Sequence, residues 1–411
     1  MTNLHLQELI ICRNILKDET LRCFINSLET PTNKQLQYEF ASLLLEKAEM
    51  LSLSGNLLRS YLLYLLTHDE NIVSKVMEMS AGKAGNSLKQ IFFHDIEILL
   101  PLFVSQPSAF ITTKLLDNYN PTEQFVSEAE KVLNETINDD WSANSVTEAL
   151  LSYYEKFGYG DIAVFRAFSW NDDKTLLGIQ HFDPMRLNDI IGYEKQKEQL
   201  TANTTAFLAG KPANNVLLVG ARGTGKSSAV KALANEYFSQ GLRLVQLTKQ
   251  QLVELPLIMK ALRKFASKKF IIFLDDLSFE GFETEYKHLK SAIEGGVEAK
   301  PANVLIYATS NRRHLIKETW RDREDGQDEL YKNDSINETI SLSDRFGLII
   351  NYRMPNQDEY IAIIDHYLRK DGVELDKEEL RVLGHRWEIE HSGRTGRTAR
   401  QFVDHYLGQN K

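Results

Sequence analysis

Residues 216 to 227 read Val-Leu-Leu-Val-Gly-Ala-Arg-Gly-Thr-Gly-Lys-Ser, an apolar run that leads straight into Gly220-x-x-x-x-Gly225-Lys226-Ser227. Glycines at this spacing let consecutive backbone N–H groups curl around phosphate oxygens with no side chain in the way. Lys226 offers a point charge to the outer phosphates and Ser227 a hydroxyl to Mg2+. The helical run that follows, Ser228 to Tyr237, offers the positive end of its dipole. The alternative is a Gly-rich strand-to-helix turn with no ligand. Between an apolar strand and a helix, this is the phosphate-binding loop pattern, and it points Gly220, Ala221, Arg222, Gly223, Thr224, Gly225, Lys226, Ser227 and Ser228 at a nucleoside triphosphate.

Four further stretches carry polar chemistry next to apolar runs. Phe270-Ile-Ile-Phe-Leu ends in Asp275-Asp276. A carboxylate at the end of a buried strand needs a cation. Beside a phosphate loop that cation is Mg2+, which makes Asp275 a metal ligand together with Ser227, while Asp276 could equally cap the next turn. Val304 to Ala308 leads into Thr309-Ser310-Asn311, where an amide could orient a water near the γ-phosphate or simply shape a turn. Ser341-Leu-Ser-Asp344-Arg345-Phe346-Gly347 and Ser392-Gly-Arg394-Thr-Gly396-Arg397-Thr-Ala-Arg400-Gln-Phe402, taken alone, read as solvated charged surface.

Together the five stretches resemble, in order and spacing, those of the AAA+ ATPases. More closely, they resemble a bacterial family of predicted AAA+ ATP-binding proteins of unassigned function. The resemblance runs from about Leu187 to the C-terminus. It implies that Ile190, Ile191 and Gly192 pack on adenine, that Gly220 to Ser227 hold the phosphates, that Asp275 binds Mg2+ and that Asn311 is the first sensor. It further implies that Arg345 is a finger reaching the γ-phosphate of a neighbouring subunit, against the alternative of a local ion pair with Asp344. Arg397 resembles the second sensor, ahead of Arg394 and Arg400. One departure stands out. Many AAA+ ATPases carry Asp-Glu where this chain has Asp275-Asp276. The shorter second acid reaches water less readily, Glu280 lies four residues on, and slow turnover is expected.

These residues need elements to hold them. Val216–Val219, Leu242–Leu247, Phe270–Leu274, Val304–Ala308 and Leu348–Tyr352 are short apolar runs of the kind a parallel sheet buries on both faces. Alternating with helix-sized segments, they predict an α/β fold, a P-loop NTPase (AAA+) parallel sheet core. Pro355-Asn356 with Glu359, Asp376 with Glu379 and a start near Arg397 predict three helices of a C-terminal helical lid. The first ~160 residues show helical apolar spacing only, predicting an all-α N-terminal domain. The expected division is residues 1–165 helical, 166–186 linker, 187–354 core and 355–411 lid. Phe157 to Trp170 is aromatic and reads as a packed connection, and Glu318 to Ser335 reads as an exposed polar loop.

Composition narrows the function class. The chain has 411 residues, 43% hydrophobic and 26% charged, with a net charge of -9. That is ordinary for a multidomain globular protein and counts against a nucleic-acid binder. Cys12 and Cys23 match no zinc or redox pattern. The N-terminus has no basic region before an apolar core, and Leu57 to Leu66 is too short for a membrane span, so a cytoplasmic protein is expected. The expected function is Mg2+-dependent ATP hydrolysis in an ATP-driven homo-oligomer, with ATP/ADP as ligands. The helical domain would recognise a protein partner that is loaded or remodelled. A nucleotide switch or scaffold, a DNA-associated loader and a small-molecule kinase are the alternatives. Thr248 to Pro256, after the second strand, lacks the aromatic residue of a threading motor. Asp276→Asn is expected to abolish turnover in a steady-state phosphate-release assay if Asp276 activates water. If Glu280 has that role, Glu280→Gln removes the activity instead.

Overall fold

Apolar residues at helical spacing dominate the first 165 residues, and the chain there folds as helices: Glu19–Glu29 (α1), Lys34–Leu51 (α2), Leu57–His68 (α3), Ile72–Met79 (α4), Asn86–Val104 (α5), Glu128–Ile137 (α6), Ala143–Phe157 (α7) and Asp161–Val164 (α8). The computed structural model describes residues 4–111, 113–123, 126–280, 285–294, 300–311, 316–317, 345–391 and 393–410. Glu318 to Ser335 and Ser341 to Asp344 lie outside them. The chain divides into two compact units, Met1–Phe165 with Lys264–Lys268, and Arg166–Arg263 with Lys269–Lys411.

In the helical unit, Asp18, Asn33, Asn56, Asn71, Ser127 and Ser142 each accept a backbone N–H at a helix start. These caps satisfy donors that a helix leaves without intrahelical partners. Phe24, Phe40, Phe92, Phe103 and Tyr154 are buried at its centre. The buried carboxylate of Asp95 accepts N–H bonds from Ile10 (3.0 Å), Ile11 (2.7 Å) and Cys12 (2.8 Å), which offset the cost of taking its charge out of water. Residues 1–165 hold 22 Asp and Glu against 12 Lys and Arg, whereas residues 166–411 hold 35 against 36. The negative charge of the chain therefore resides in the helical unit.

The second unit is built on a sheet. Its strands are Ala167–Trp170 (β1), Leu176–Gly178 (β2), Val216–Gly220 (β3), Leu242–Leu247 (β4), Lys269–Leu274 (β5), Val304–Ser310 (β7) and Leu348–Tyr352 (β9), in the order β2-β1-β4-β5-β7-β3-β9. Phe279–Glu280 (β6) and Ile316–Lys317 (β8) form a separate parallel pair. Every pairing in the large sheet is parallel except β1 with β2. Leu218, Val245, Ile272 and Ile306 are fully buried, as central strands covered on both faces require. The helices Glu194–Leu208 (α9), Lys226–Tyr237 (α10), Leu255–Arg263 (α11) and Glu285–Glu294 (α12) alternate with the strands. The five runs expected as strands are β3, β4, β5, β7 and β9.

The stretch read as a linker, residues 166–186, differs from that reading. Ala167 pairs in parallel with Leu244, and Leu176–Gly178 folds back antiparallel on β1, so the stretch extends the sheet. Phe168 is buried in it, and the Trp170 indole donates to Glu254 at 2.6 Å. The aromatic residues before and after Phe165 thus pack separately, Phe157 inside the helical unit and Phe168 inside the sheet unit. The signal is hard to see locally, because the partner strand lies far along the chain and the run is short.

The lid comprises Gln357–Lys370 (α13), Lys377–Glu390 (α14) and Gly396–Asn410 (α15), packed around Tyr360, Ile364, Leu368, Leu380 and Val403. Asn356 and Glu359 form the reciprocal cap expected for α13. Asp376 caps α14 by accepting from Glu378 N–H, without a return bond from Glu379. Because β3, β4, β5, β7 and β9 run in parallel, their C-terminal ends reach one edge of the sheet, where the loops between strands and helices collect.

Candidate active site

Register brings the chemistry together. Leu274 pairs with Ala308 and Val219 with Ser310, so Asp275 and Asp276 leave β5 beside Thr309 of β7, and the phosphate loop leaves β3 beside Asn311. The loop itself is sterically closed. Gly220 has φ +147 and a Cβ there would stand 1.9 Å from the Tyr352 carbonyl oxygen, so only glycine permits this approach of β3 to β9. Gly223, with φ +73, sits against α15, where a Cβ would come within 2.9 Å of Thr395 Oγ1 and 3.1 Å of the Arg397 side chain. The tip of the loop therefore touches the start of the last lid helix.

Lys226 opens α10 and is 5% exposed. Its Nζ donates to the carbonyls of Gly220 (2.8 Å) and Ala221 (2.7 Å) and to Asn311 Oδ1 (3.1 Å). Burial pulls its pKa below the usual lysine value, opposed by the charges of Asp276 and Asp275. The Asn311 amide in turn donates to Asp276 Oδ1, and Arg222 Nη2 stands 3.5 Å from Asp276 Oδ2. Asp276 holds a left-handed backbone, φ 51, which costs a non-glycine residue about 1 kcal/mol, and its N–H is anchored on Thr309 Oγ1 at 2.8 Å. Asp275 Oδ1 accepts from both Ser227 Oγ and Thr309 Oγ1, the latter at 2.7 Å.

These observations test the fit of the implied ligands. A hydroxyl and a carboxylate, Ser227 and Asp275, meet at a strand end; this oxygen donor set suits Mg2+. A buried ammonium at the first turn of a helix, below a glycine cradle, suits phosphate oxygens. Both fit. The residues line a cavity of 1210 Å³, with Arg222 to Ser228 on one side and Asp275, Asp276, Thr309 and Asn311 beside them. Its other end is walled by Ile190, Ile191 and Tyr193 from the chain before α9, by Ile363, Tyr367 and Lys370 from α13, and by Arg397 and Arg400 from α15.

Some expected residues stand elsewhere. Gly192, Gly220 and Ala221 do not line the cavity; the last two serve it through carbonyls that hold Lys226. Arg394 pairs with Glu388 at 3.2 Å, away from the lining, whereas Arg400 does line it while paired with Asp371 at 3.2 Å. The Glu280 side chain and Asp344 lie outside the described residues. Arg345 precedes β9, which runs in register with β3 from Val216–Leu348 to Gly220–Tyr352. It therefore lies beyond the sheet edge opposite the loop, with four strand steps, ~13 Å, intervening. Sequence reading passed over Thr309, whose hydroxyl joins Asp275 to the Asp276 backbone. A polar residue ending a wholly apolar strand was its only signal. Tyr367 and Lys370 gave none, since their lid helix meets the cavity only through tertiary packing.

The family model described as "Protein of unknown function (DUF815)" matches residues 163–410. The chain belongs to this family. Its matched part is a mainly parallel sheet with the glycine loop between β3 and α10 and three helices after β9. Over 71 residues, 17% of this chain and 14% of that protein, it is 38% identical to the replication factor C large subunit of Thermococcus kodakarensis. Over 59 residues, 14% of this chain and 12% of that protein, it is 37% identical to the same subunit of Methanococcus vannielii. The chain thus covers about one seventh of the length of the curated relatives it matches. It is also similar to the solved Holliday junction branch migration motor RuvB of Thermotoga maritima, at 19% identity and a TM-score of 0.37 over 55% of this chain and 65% of that one.

Thr309→Val keeps the strand's shape and removes the hydroxyl that positions both acids. The expected outcome is a fall in ATP turnover of about tenfold or more, with nucleotide affinity measured without Mg2+ changed by no more than about twofold. Unchanged turnover would show that the two acids do not depend on it.

Proposed function

We propose that this protein is a Mg2+-dependent ATPase of slow turnover, in which ATP binding drives assembly and a second copy completes the hydrolytic site. The observation that carries the reading is the hydrogen-bonded line from Lys226 through Asn311 to Asp276, with Ser227, Asp275 and Thr309 beside it. It joins the loop, β5 and β7 into one polar surface facing a cavity large enough for a nucleotide.

Ser227 and Asp275 would hold Mg2+, which when bound neutralises charge on the outer phosphates. Lys226 is poised to exchange carbonyl partners for phosphate oxygens, and Arg397 approaches the loop tip from the lid. Asp276 would orient the attacking water, but its carboxylate is shared between Asn311 and Arg222, and it is one methylene shorter than a glutamate. Both facts support slow chemistry. They also favour a switch-like use of ATP, in which binding assembles the complex and hydrolysis resets it.

Arg345 is too far from its own loop to serve it, which supports the reading that it reaches the nucleotide of a neighbouring copy. The acidic helical unit, with 22 acids against 14 bases, suits a protein partner to be loaded or remodelled better than a nucleic acid. A cytoplasmic location is part of the same proposal; among the described residues no helix is long and apolar enough to cross a membrane.

A mixing experiment tests the shared site. Arg345→Ala and Lys226→Ala are each expected to lose about 100-fold or more in turnover. Mixed together, they should recover a measurable fraction, because Lys226→Ala copies lend an intact Arg345 to nucleotide-competent neighbours. No recovery, or full activity of Arg345→Ala alone, would contradict a site completed in trans.

A further inference from the structure

The helical unit includes one stretch from far along the chain. Lys264–Lys268, which joins α11 to β5, groups with Met1–Phe165, while the residues on either side of it group with the sheet. A carboxylate of α4 holds this stretch. Glu78 Oε1 accepts from Ser267 N–H at 3.1 Å and from Ser267 Oγ at 2.7 Å, and Glu78 Oε2 stands 3.2 Å from Lys268 Nζ. Lys268 Nζ also donates to Ser267 Oγ at 2.7 Å and to the carbonyl of Glu155, on α7, at 3.2 Å. The Lys268 and Glu78 side chains are 2% and 1% exposed. Gly158, with φ +89, closes over them: a Cβ there would stand 3.0 Å from Glu78 Oε2 and 3.4 Å from Lys268 Cε. Beside it the Tyr159 ring packs on Phe265, with centroids 5.8 Å apart.

A buried ion pair is a poor way to gain stability, since apolar side chains of similar size fill the space as well or better. What directional polar contacts can fix is position, where an apolar contact would let the stretch slide. The position fixed here is the start of β5. Phe270 to Leu274 follow directly, buried and paired on both sides, with β4 and with β7. Asp275 and Asp276 come next in the chain, six strand steps or ~20 Å from Lys269. A close-packed strand passes a displacement along its length instead of absorbing it. At its far end Asp275 and Asp276 are set against Thr309 by hydrogen bonds of 2.7 and 2.8 Å. Misplacing such groups by about 1 Å is enough to cost about 100-fold in rate.

We propose that Glu78 is a positioning residue for the hydrolytic acids: through Ser267 and Lys268 it fixes the start of β5, and by this route the helical unit and the nucleotide site sense each other. The inference rests on the reading of Asp275 and Asp276 as the acids of an ATPase, and adds the residue by which a partner on the helical unit would set their placement. Glu78 touches no part of the cavity lining, so its effect falls on turnover and not on nucleotide affinity.

The test compares the full-length wild type with Glu78→Gln and with the double variant Glu78→Gln/Lys268→Met. The single variant removes the charge facing the buried ammonium and should melt at lower temperature. The double variant removes both charges and should melt close to the wild type. In both, steady-state turnover is expected to fall about tenfold while ATP affinity by calorimetry stays within about twofold. In the wild type, ATP with Mg2+ should slow amide hydrogen exchange in β5 and also in α4; in the double variant, β5 alone should respond. Turnover restored in the double variant together with its melting temperature, or α4 protection that persists there, would overturn the proposal and leave the pair as a structural staple. The double variant carries the test if the single one does not fold. Failure of the wild type to bind ATP would instead be failure of the phosphate-loop reading. The joint is then read without nucleotide: Ile272→Ala should speed exchange in α4 when Glu78 and Lys268 are intact and not when both are replaced, and equal effects in the two backgrounds would overturn it.

Discussion

The site depends on a buried lysine ammonium. Lys226 is held almost out of water, yet among the described residues no carboxylate forms a hydrogen bond or ion pair with it. Two loop carbonyls and the Asn311 amide oxygen take its hydrogens. A cation so placed is costly unless polar atoms surround it, and burial pulls its pKa below the usual lysine value. The loop conformation, the glycines that permit it, and the position of Asn311 just after β7 serve to satisfy this one charge. A site of this kind is primed for an anion. Phosphate oxygens would supply the negative charge that the neutral partners lack.

The parallel sheet turns that local requirement into a constellation. With β5, β7 and β3 side by side and in register, the residues that follow each strand emerge next to one another without any long-range loop having to be positioned. Thr309 then couples the two acids, one through its hydroxyl hydrogen and the other through its oxygen. The strained backbone of Asp276 is tolerated because Thr309, Asn311 and Arg222 hold it from three directions. The lid contributes contact at the loop tip, where Gly223 and Thr395 approach too closely for any larger residue.

Much of this was legible in the sequence because the signals are local. The glycine spacing, the apolar strand runs and the Asp-Asp after β5 each declare themselves within a few residues. What escaped was non-local. β1 is four residues long and becomes a strand only by pairing with β4. Thr309 stood in a polar triplet from which Asn311 drew the attention, since an amide has an evident role and a lone hydroxyl does not. Asn235 lies on an otherwise ordinary helix, and the carbonyls it binds, of Asp183 and Met185, lie some fifty residues earlier in the chain. Arg345 is reached through resemblance, and Glu280 through its place four residues after Asp276. The register of β9 adds a physical reason to look for the target of Arg345 on another copy.

The measurement closest to the centre of this account is nucleotide binding by Lys226→Ala beside the wild-type protein, by titration calorimetry in magnesium buffer. The account predicts that the wild type retains ATP and ADP and that the substitution weakens both by about 100-fold, roughly 2.7 kcal/mol. A wild-type protein that binds neither nucleotide, or a variant that binds as tightly as the wild type, would contradict it.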